Sequence, residues 1–119
     1  MAFNWAKYLE LAIFLQDPQN NLHQEAAYRS AVSRAYYAAY HYVLDYATKK
    51  LNFNPVNTRD DQQALINYLK NHRHCSIGMT LSDLKLWRNQ CDYDNCVENL
   101  NQITTKAITN SQKVFNTLK

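Results

Sequence analysis

A polar cluster at the end of an apolar helical run carries the residue types of a phosphate site. Arg88 brings a permanent positive charge on a planar fork of N–H groups, which matches the oxygens of a phosphate. Asn89, Asp92 and Tyr93 add donors and acceptors within about one helical turn of it. This spacing indicates a site that grips a phosphodiester or a nucleotide. It also fits a plain ion pair between Arg88 and Asp92 on a helix surface, worth about 0.2–0.5 kcal/mol.

A second set of polar residues lies on a long helical segment rich in alanine and tyrosine. Ser30, Arg34, Tyr37, His41 and Asp45 recur at helical spacing, so these side chains face the same way. Buried polar side chains need partners, which a polar groove or a subunit interface would supply. We therefore expect Arg34, Tyr37 and His41 to share a cleft with the Arg88 cluster. The alternative is that they form the solvated side of an amphipathic helix.

Tyrosine is unusually frequent, with 9 of the 119 residues. Because its ring is apolar and its hydroxyl is polar, tyrosine suits surfaces that are both apolar and wet. The enrichment favours association through helix faces, with stacking on nucleobases as the alternative.

The elements that must position these residues are predicted to be helices. One glycine and two prolines leave little turn chemistry for hairpins, so the composition predicts an all-α fold of about five helices in one domain. The predicted helices run from a cap at Asn4 to Asp17 and Pro18, from Gln24 to Lys50, from a capping box at Thr58 and Asp61 to Asn71, from a cap at Thr80 past Arg88, and from Asp94 or Asn95 to the C-terminal end. Residues 19–22, 52–57 and 72–79 are predicted loops, the last holding the single glycine.

Charge and cysteine content bound the function without deciding it. The net charge of +3 permits an anionic partner. Three cysteines without paired spacing favour a reducing compartment, and we expect a cytoplasmic protein with neither a signal peptide nor a membrane span. His72, His74 and Cys75 include zinc-ligand types, but their spacing matches no zinc pattern, so no metal or cofactor is predicted.

Two segments together carry a resemblance to a known family. Residues 28–41 read Tyr-Arg-Ser-Ala-Val-Ser-Arg-Ala-Tyr-Tyr-Ala-Ala-Tyr-His, and residues 86–94 read Leu-Trp-Arg-Asn-Gln-Cys-Asp-Tyr-Asp. In a chain of this size they resemble the HEPN domain family. The resemblance implies an up-and-down helical bundle that forms a homodimer, often encoded beside a small nucleotidyltransferase and often part of a toxin–antitoxin or other defence system.

The resemblance also implies a chemistry, from which this sequence departs. Catalytic members of the family are metal-independent ribonucleases with an Arg, then a polar residue and then a His, and their dimer brings two such motifs into one cleft. Arg88 and Asn89 match the first part, but Tyr93 stands where the His would fall. Imidazole titrates near neutrality and suits both proton transfers, whereas an unperturbed phenol with a pKa of about 10 is a poor base. His41 would have to replace the missing imidazole.

Tyr93 in place of the motif His affects catalysis more than phosphate binding, which Arg88 can still provide. We therefore rank a binding function first among three hypotheses. The first is a dimeric interaction module that binds the phosphate of RNA or of a nucleotide and a nucleotidyltransferase partner. The second is a metal-independent endoribonuclease toxin with Arg88, Asn89 and Tyr93 as its catalytic residues, and the third is a purely structural dimer. The predicted ligand-binding residues are Arg34, Tyr37, His41, Arg88, Asn89, Asp92 and Tyr93.

Overall fold

The computed structural model describes residues 3–17 and 24–118, and within them the chain forms five α-helices and no strand. The helices are α1 (Ala6–Gln16), α2 (Gln24–Lys50), α3 (Asp61–Asn71), α4 (Cys75–Tyr93) and α5 (Leu100–Thr117). The predictions of an all-α fold and of about five helices are confirmed for these residues. None of these helices is both long enough and apolar enough to cross a lipid bilayer.

Helix α2 is the centre of the bundle and contacts α1, α4 and α5, while α3 packs against α4. It spans the predicted residues. Ala31, Ala35, Ala39 and Val43 are fully buried on it at helical spacing. Because most of these side chains are small, the neighbouring helices approach α2 closely. The larger Tyr36 is also fully buried, and it brings a hydroxyl group into the core.

The start of α1 matches its predicted cap. Oδ1 of Asn4 accepts the backbone N–H of Ala6 at 3.1 Å, which satisfies one of the free amides at the helix N-terminus. The helix ends at Gln16, next to the predicted stop at Asp17. Pro18 and the predicted loop of residues 19–22 lie outside the described residues.

The predicted capping box before α3 is wrong, because Thr58 and Asp61 do not exchange the two hydrogen bonds that define such a box. Oγ1 of Thr58 accepts the N–H of Asp60 at 3.3 Å. The buried carboxylate of Asp61 accepts the N–H groups of Val56 and Asn57, each at 2.9 Å, so it holds the preceding loop. Helix α3 begins at Asp61 itself and ends at the predicted Asn71.

The predicted loop of residues 72–79 is also wrong, because α4 begins at Cys75. Thr80 is therefore not a cap: it lies inside α4 and donates its hydroxyl to the carbonyl of Ser76 at 2.9 Å. Gly78 is buried where α4 crosses α3. A Cβ there would lie 3.1 Å from the carbonyl oxygen of Ile66, so the glycine marks a close approach of two helices and not a turn.

Helix α5 begins at Leu100, later than the predicted Asp94 or Asn95. The guanidinium of Arg29, on α2, explains the interruption. It donates to the carbonyl oxygens of Cys91 at 2.8 Å, Asp94 at 2.7 Å and Asn95 at 3.2 Å. These bonds satisfy carbonyls at the C-terminus of α4 and hold the turn that follows the predicted site residues Asp92 and Tyr93.

Candidate functional site

Arg88 lies inside the bundle near the end of α4, and only 9% of its surface is exposed. Its guanidinium carbon lies 5.3 Å from the centroid of the Tyr36 ring and 5.4 Å from that of Tyr37. Both distances are in the range of cation–π contacts, which hold the positive charge against the two rings. Helix α2 therefore positions Arg88 through two consecutive tyrosines.

The polar partners of Arg88 are few and distant for so buried a charge. Nη2 donates to Oε1 of Gln62 at 3.3 Å, and Nη1 lies 3.6 Å from Oδ2 of Asp92. Nε is buried and has no hydrogen-bond partner in the described part of the chain. The predicted i, i+4 pair of Arg88 and Asp92 is present, but a charged hydrogen bond of full strength is shorter than either contact. The guanidinium thus keeps capacity for a further anionic acceptor.

Gln62, on α3, connects Arg88 to the core. Its Oε1 accepts the hydroxyl of Tyr36 at 2.7 Å as well as Arg88 Nη2. Burial raises the pKa of Tyr36 above its usual value, although the nearby Arg88 charge opposes this. The phenol therefore stays neutral and donates. The sequence did not predict Gln62 as a site residue, because nothing in α3 indicates which side chain reaches α4.

A cleft of about 450 Å³ opens beside Arg88. Its lining residues include Tyr37, Arg59, Gln62, Lys85, Asn89 and Tyr93, with Asp60 as the acidic one. We call it the Arg88 cleft. Asn89 is half-buried, whereas Tyr93 is 75% exposed. Arg59 and Lys85 bring further positive charge to the cleft. They were not among the predicted site residues, because nothing in the sequence distinguishes either of them from an ordinary surface cation.

A second depression, of about 400 Å³, is lined by Arg34 and Asp92 and by the hydroxyl groups of Ser30 and Ser33. We call it the serine depression. Arg34 is half-buried, and its guanidinium carbon lies 4.9 Å from the centroid of the Tyr8 ring. No carboxylate lies within ion-pair distance of Arg34 in residues 3–17 and 24–118. A half-buried guanidinium is thus available beside two hydroxyls.

His41 lines a third depression, of about 240 Å³, together with Trp5, Tyr8, Arg34 and Tyr37. We call it the aromatic pocket. The imidazole stacks on the Trp5 ring, with centroids 3.7 Å apart and planes 11° apart. Burial lowers the pKa of His41 below its usual value. The described residues that line the Arg88 cleft include no histidine, so His41 and Arg88 open into different depressions.

The three depressions adjoin one another along α2, and together we call them the α2–α4 groove. Arg34 is common to the serine depression and the aromatic pocket, while Tyr37 is common to the aromatic pocket and the Arg88 cleft. Four of the five polar residues that were predicted to share one face of α2 thus line the groove, namely Ser30, Arg34, Tyr37 and His41. Asp45 differs, since it is exposed and pairs with Lys49 at 3.0 Å. Every predicted ligand-binding residue lines one of the three depressions.

The charge of the groove is positive. Its described lining contains the cations Arg29, Arg34, Arg59, Lys85 and Arg88, against the acids Asp60 and Asp92. Within residues 3–17 and 24–118 no cluster of three His, Cys, Asp or Glu side chains has the arrangement of a metal site. The cations, hydroxyls and rings that line the groove can bind an anion, form hydrogen bonds and stack on a ligand ring.

Comparison of the chain with protein-family models, with curated proteins and with solved structures finds no match. The resemblance to the HEPN family therefore stays a prediction.

Proposed function

We propose that this chain is a HEPN-type interaction module that binds the phosphate backbone of RNA in the α2–α4 groove and acts as a homodimer. The observation that carries the proposal is the buried, loosely compensated guanidinium of Arg88. One hydrogen bond of 3.3 Å and a carboxylate at 3.6 Å leave most of its donor capacity unused. A phosphate would supply charge and paired acceptor oxygens at once.

The surroundings of Arg88 favour a polyanion over a single small anion. Arg59 and Lys85 line the same cleft, and Arg34 stands in the adjoining depressions without a carboxylate partner. A chain of phosphates would meet several of these cations in succession. Such contacts release counterions from the nucleic acid, which makes binding strongly dependent on salt.

A stripe on α4 supports the dimer. Met79 and Leu86 are each 56% exposed, and with Tyr93 they recur every seventh residue on one face of the helix. Large exposed apolar side chains in a row are typical of an interface. If two α4 helices pack antiparallel around Leu86, Met79 lies opposite the partner subunit's Tyr93. Because Tyr93 also lines the Arg88 cleft, this packing would bring the clefts of both subunits to one interface.

The proposal further includes a nucleotidyltransferase partner and a role in a toxin–antitoxin or defence system. These two parts come from the resemblance to the HEPN family alone. The ribonuclease alternative needs a proton-transfer group at the bound phosphate, and the imidazole of His41 opens into a different depression. This arrangement favours binding over cleavage.

The proposal is tested by binding a labelled oligoribonucleotide of about 10 nucleotides in a chelator at several salt concentrations. The Lys85→Ala variant removes a cation of the Arg88 cleft, and Lys113→Ala removes an exposed cation of α5 outside the groove. We expect Lys85→Ala to weaken binding and to reduce the salt slope by about 1, with little effect of Lys113→Ala. No binding at low salt, or equal effects of the two variants, would overturn the proposal. Gels of the same samples report cleavage, which would favour the ribonuclease alternative if Arg88→Ala abolished it.

A further inference from the structure

The aromatic pocket is a second kind of site, because four rings and one guanidinium surround it. Trp5, Tyr8, Tyr37, His41 and Arg34 line its volume of about 240 Å³, and no carboxylate is among these described lining residues. All five side chains are half-buried, so each keeps part of its surface open. This composition suits a flat, polar-edged ring better than it suits an ion or an aliphatic chain.

The rings are held in place before any ligand arrives. Trp5 stacks on His41 and meets the Tyr8 ring edge to face, with centroids 5.1 Å apart. The Tyr37 ring lies 6.2 Å from that of His41 with planes 27° apart, and Arg34 covers Tyr8. Because the side chains are ordered by one another, binding costs little further side-chain entropy.

Hydrogen-bonding groups at the rim remain unused. The hydroxyls of Tyr8 and Tyr37 and the guanidinium of Arg34 form no side-chain hydrogen bond within residues 3–17 and 24–118. Half-buried donors of this kind can meet the polar edge of a base while its face lies on a ring.

The pocket lies between the two polar depressions of the groove. Arg34 connects it to the hydroxyls of Ser30 and Ser33, and Tyr37 connects it to Arg88. A nucleotide has the same order of parts, with a base on the sugar and a phosphate on either side. We propose that the aromatic pocket holds one unstacked base of single-stranded RNA while the flanking phosphates lie at Arg34 and Arg88. This inference rests on the proposed function and specifies its ligand as a single strand.

The test compares an oligoribonucleotide of about 10 nucleotides with a ribose–phosphate strand of the same length that lacks bases. Both strands carry the same phosphates, so the difference in affinity reports the bases. We expect the base-bearing strand to bind at least about 5-fold more tightly, and a duplex of the same sequence to bind less tightly than the single strand. Equal affinity of the two single strands would overturn the pocket and leave the phosphate site standing. If neither strand binds, the proposed function fails as well.

A pair of variants locates the base. Tyr8→Leu removes a ring of the pocket, and Tyr42→Leu removes a half-buried ring that stacks on Phe115 away from it. We expect Tyr8→Leu to lower affinity for the base-bearing strand at least about 5-fold more than affinity for the base-free strand, which loses only the support that the Tyr8 ring gives Arg34, and Tyr42→Leu to change neither. Circular dichroism and thermal melting of each variant establish that it is folded. Equal losses of affinity for the two strands in a folded Tyr8→Leu, or no loss for either, would contradict the assignment.

Discussion

Tyr36 and Arg88 donate to the same oxygen, Oε1 of Gln62, at 2.7 and 3.3 Å. A neutral phenol from α2 and a charged guanidinium from α4 thus depend on one amide from α3. Tyr36 is fully buried, so its hydroxyl has no access to bulk water. Gln62 therefore joins the stability of the core to the orientation of the proposed phosphate-binding group.

Two substitutions at Gln62 separate these roles. Gln62→Ala leaves the Tyr36 hydroxyl without its acceptor, and we expect the free energy of unfolding in urea to fall by about 1–3 kcal/mol. Gln62→Glu keeps an acceptor but places a carboxylate beside Arg88, so we expect RNA affinity to fall while stability is largely kept. Gln63→Ala, at an exposed neighbouring position, is the control for stability, with an expected change within about 0.5 kcal/mol. Equal stability of Gln62→Ala and Gln63→Ala would contradict the role of the shared acceptor.

The proposed dimer depends on the α4 stripe. Leu86→Lys puts a charge at the centre of the antiparallel helix pair, where its own symmetry mate repels it. We expect size-exclusion chromatography with light scattering to show the wild type as a dimer and this variant as a monomer. Val56→Lys is the control, because Val56 is exposed in the loop before α3 and outside the stripe. A monomeric wild type, or dissociation by Val56→Lys alone, would contradict this interface.

Much of the fold could be predicted from patterns within single helices. The predicted helix bounds are wrong where contacts with residues distant in the sequence determine them. The predicted helix from about Gln24 to Lys50 agrees with the described α2, because its burial on one face depends on local periodicity. The predicted start of α4 was too late, because Gly78 and its flanking residues look like a loop in the sequence. In the structure this glycine lies where α4 closely approaches Ile66 of α3, and a Cβ there would force a shift of a few tenths of an ångström. The start of α5 was missed because Arg29, more than sixty residues earlier in the chain, binds the carbonyls of the turn before it.

The residues of the candidate site also fall into two groups, those that helical spacing predicts and those that only the packing of the helices brings in. Helical periodicity alone indicated that Arg34, Tyr37 and His41 share a face, and they do line adjoining depressions. Trp5 precedes α1 and Tyr8 lies on it, and only the packing of α1 on α2 turns these two rings towards His41 and Arg34. The residue spacing within one helix does not predict which side chains of another helix it will contact.

Arg29 is expected to stabilise the turn between α4 and α5. Arg29→Ala removes donors to three carbonyls, and we expect a loss of about 1.5–3 kcal/mol in the free energy of unfolding, since these hydrogen bonds come from a charged group. Lys113→Ala, which removes an exposed cation from α5, is expected to stay within about 0.5 kcal/mol of the wild type. Because Arg29 also binds the carbonyl of Cys91 in the last turn of α4, which carries Asp92 and Tyr93, RNA affinity should fall in Arg29→Ala as well. Wild-type stability in this variant would show that the turn is held by other contacts.

His41 is expected to make stability depend on pH. Burial lowers its pKa in the folded state, so below its unfolded value of about 6.5 the unfolded chain takes up the proton more readily. Acidification therefore costs the wild type stability that His41→Phe, which keeps a ring against Trp5, does not lose. We expect urea unfolding between about pH 7.5 and about pH 5.5 to show a smaller decrease for the variant. Parallel pH profiles would contradict the burial of a neutral imidazole.

The central claim is that the guanidinium of Arg88 binds RNA phosphate, and the resonance of its buried Nε–H group is sensitive to a charge bound at the Nη groups of the same guanidinium. The chain has five arginines, so the NMR spectrum of their Nε–H groups is simple, and Arg88→Lys assigns the relevant resonance. We expect titration with an oligoribonucleotide to shift the Arg88 resonance to saturation, while that of Arg73, in the turn between α3 and α4, stays in place. An Arg88 resonance that does not move when the protein is saturated with RNA would contradict the claim.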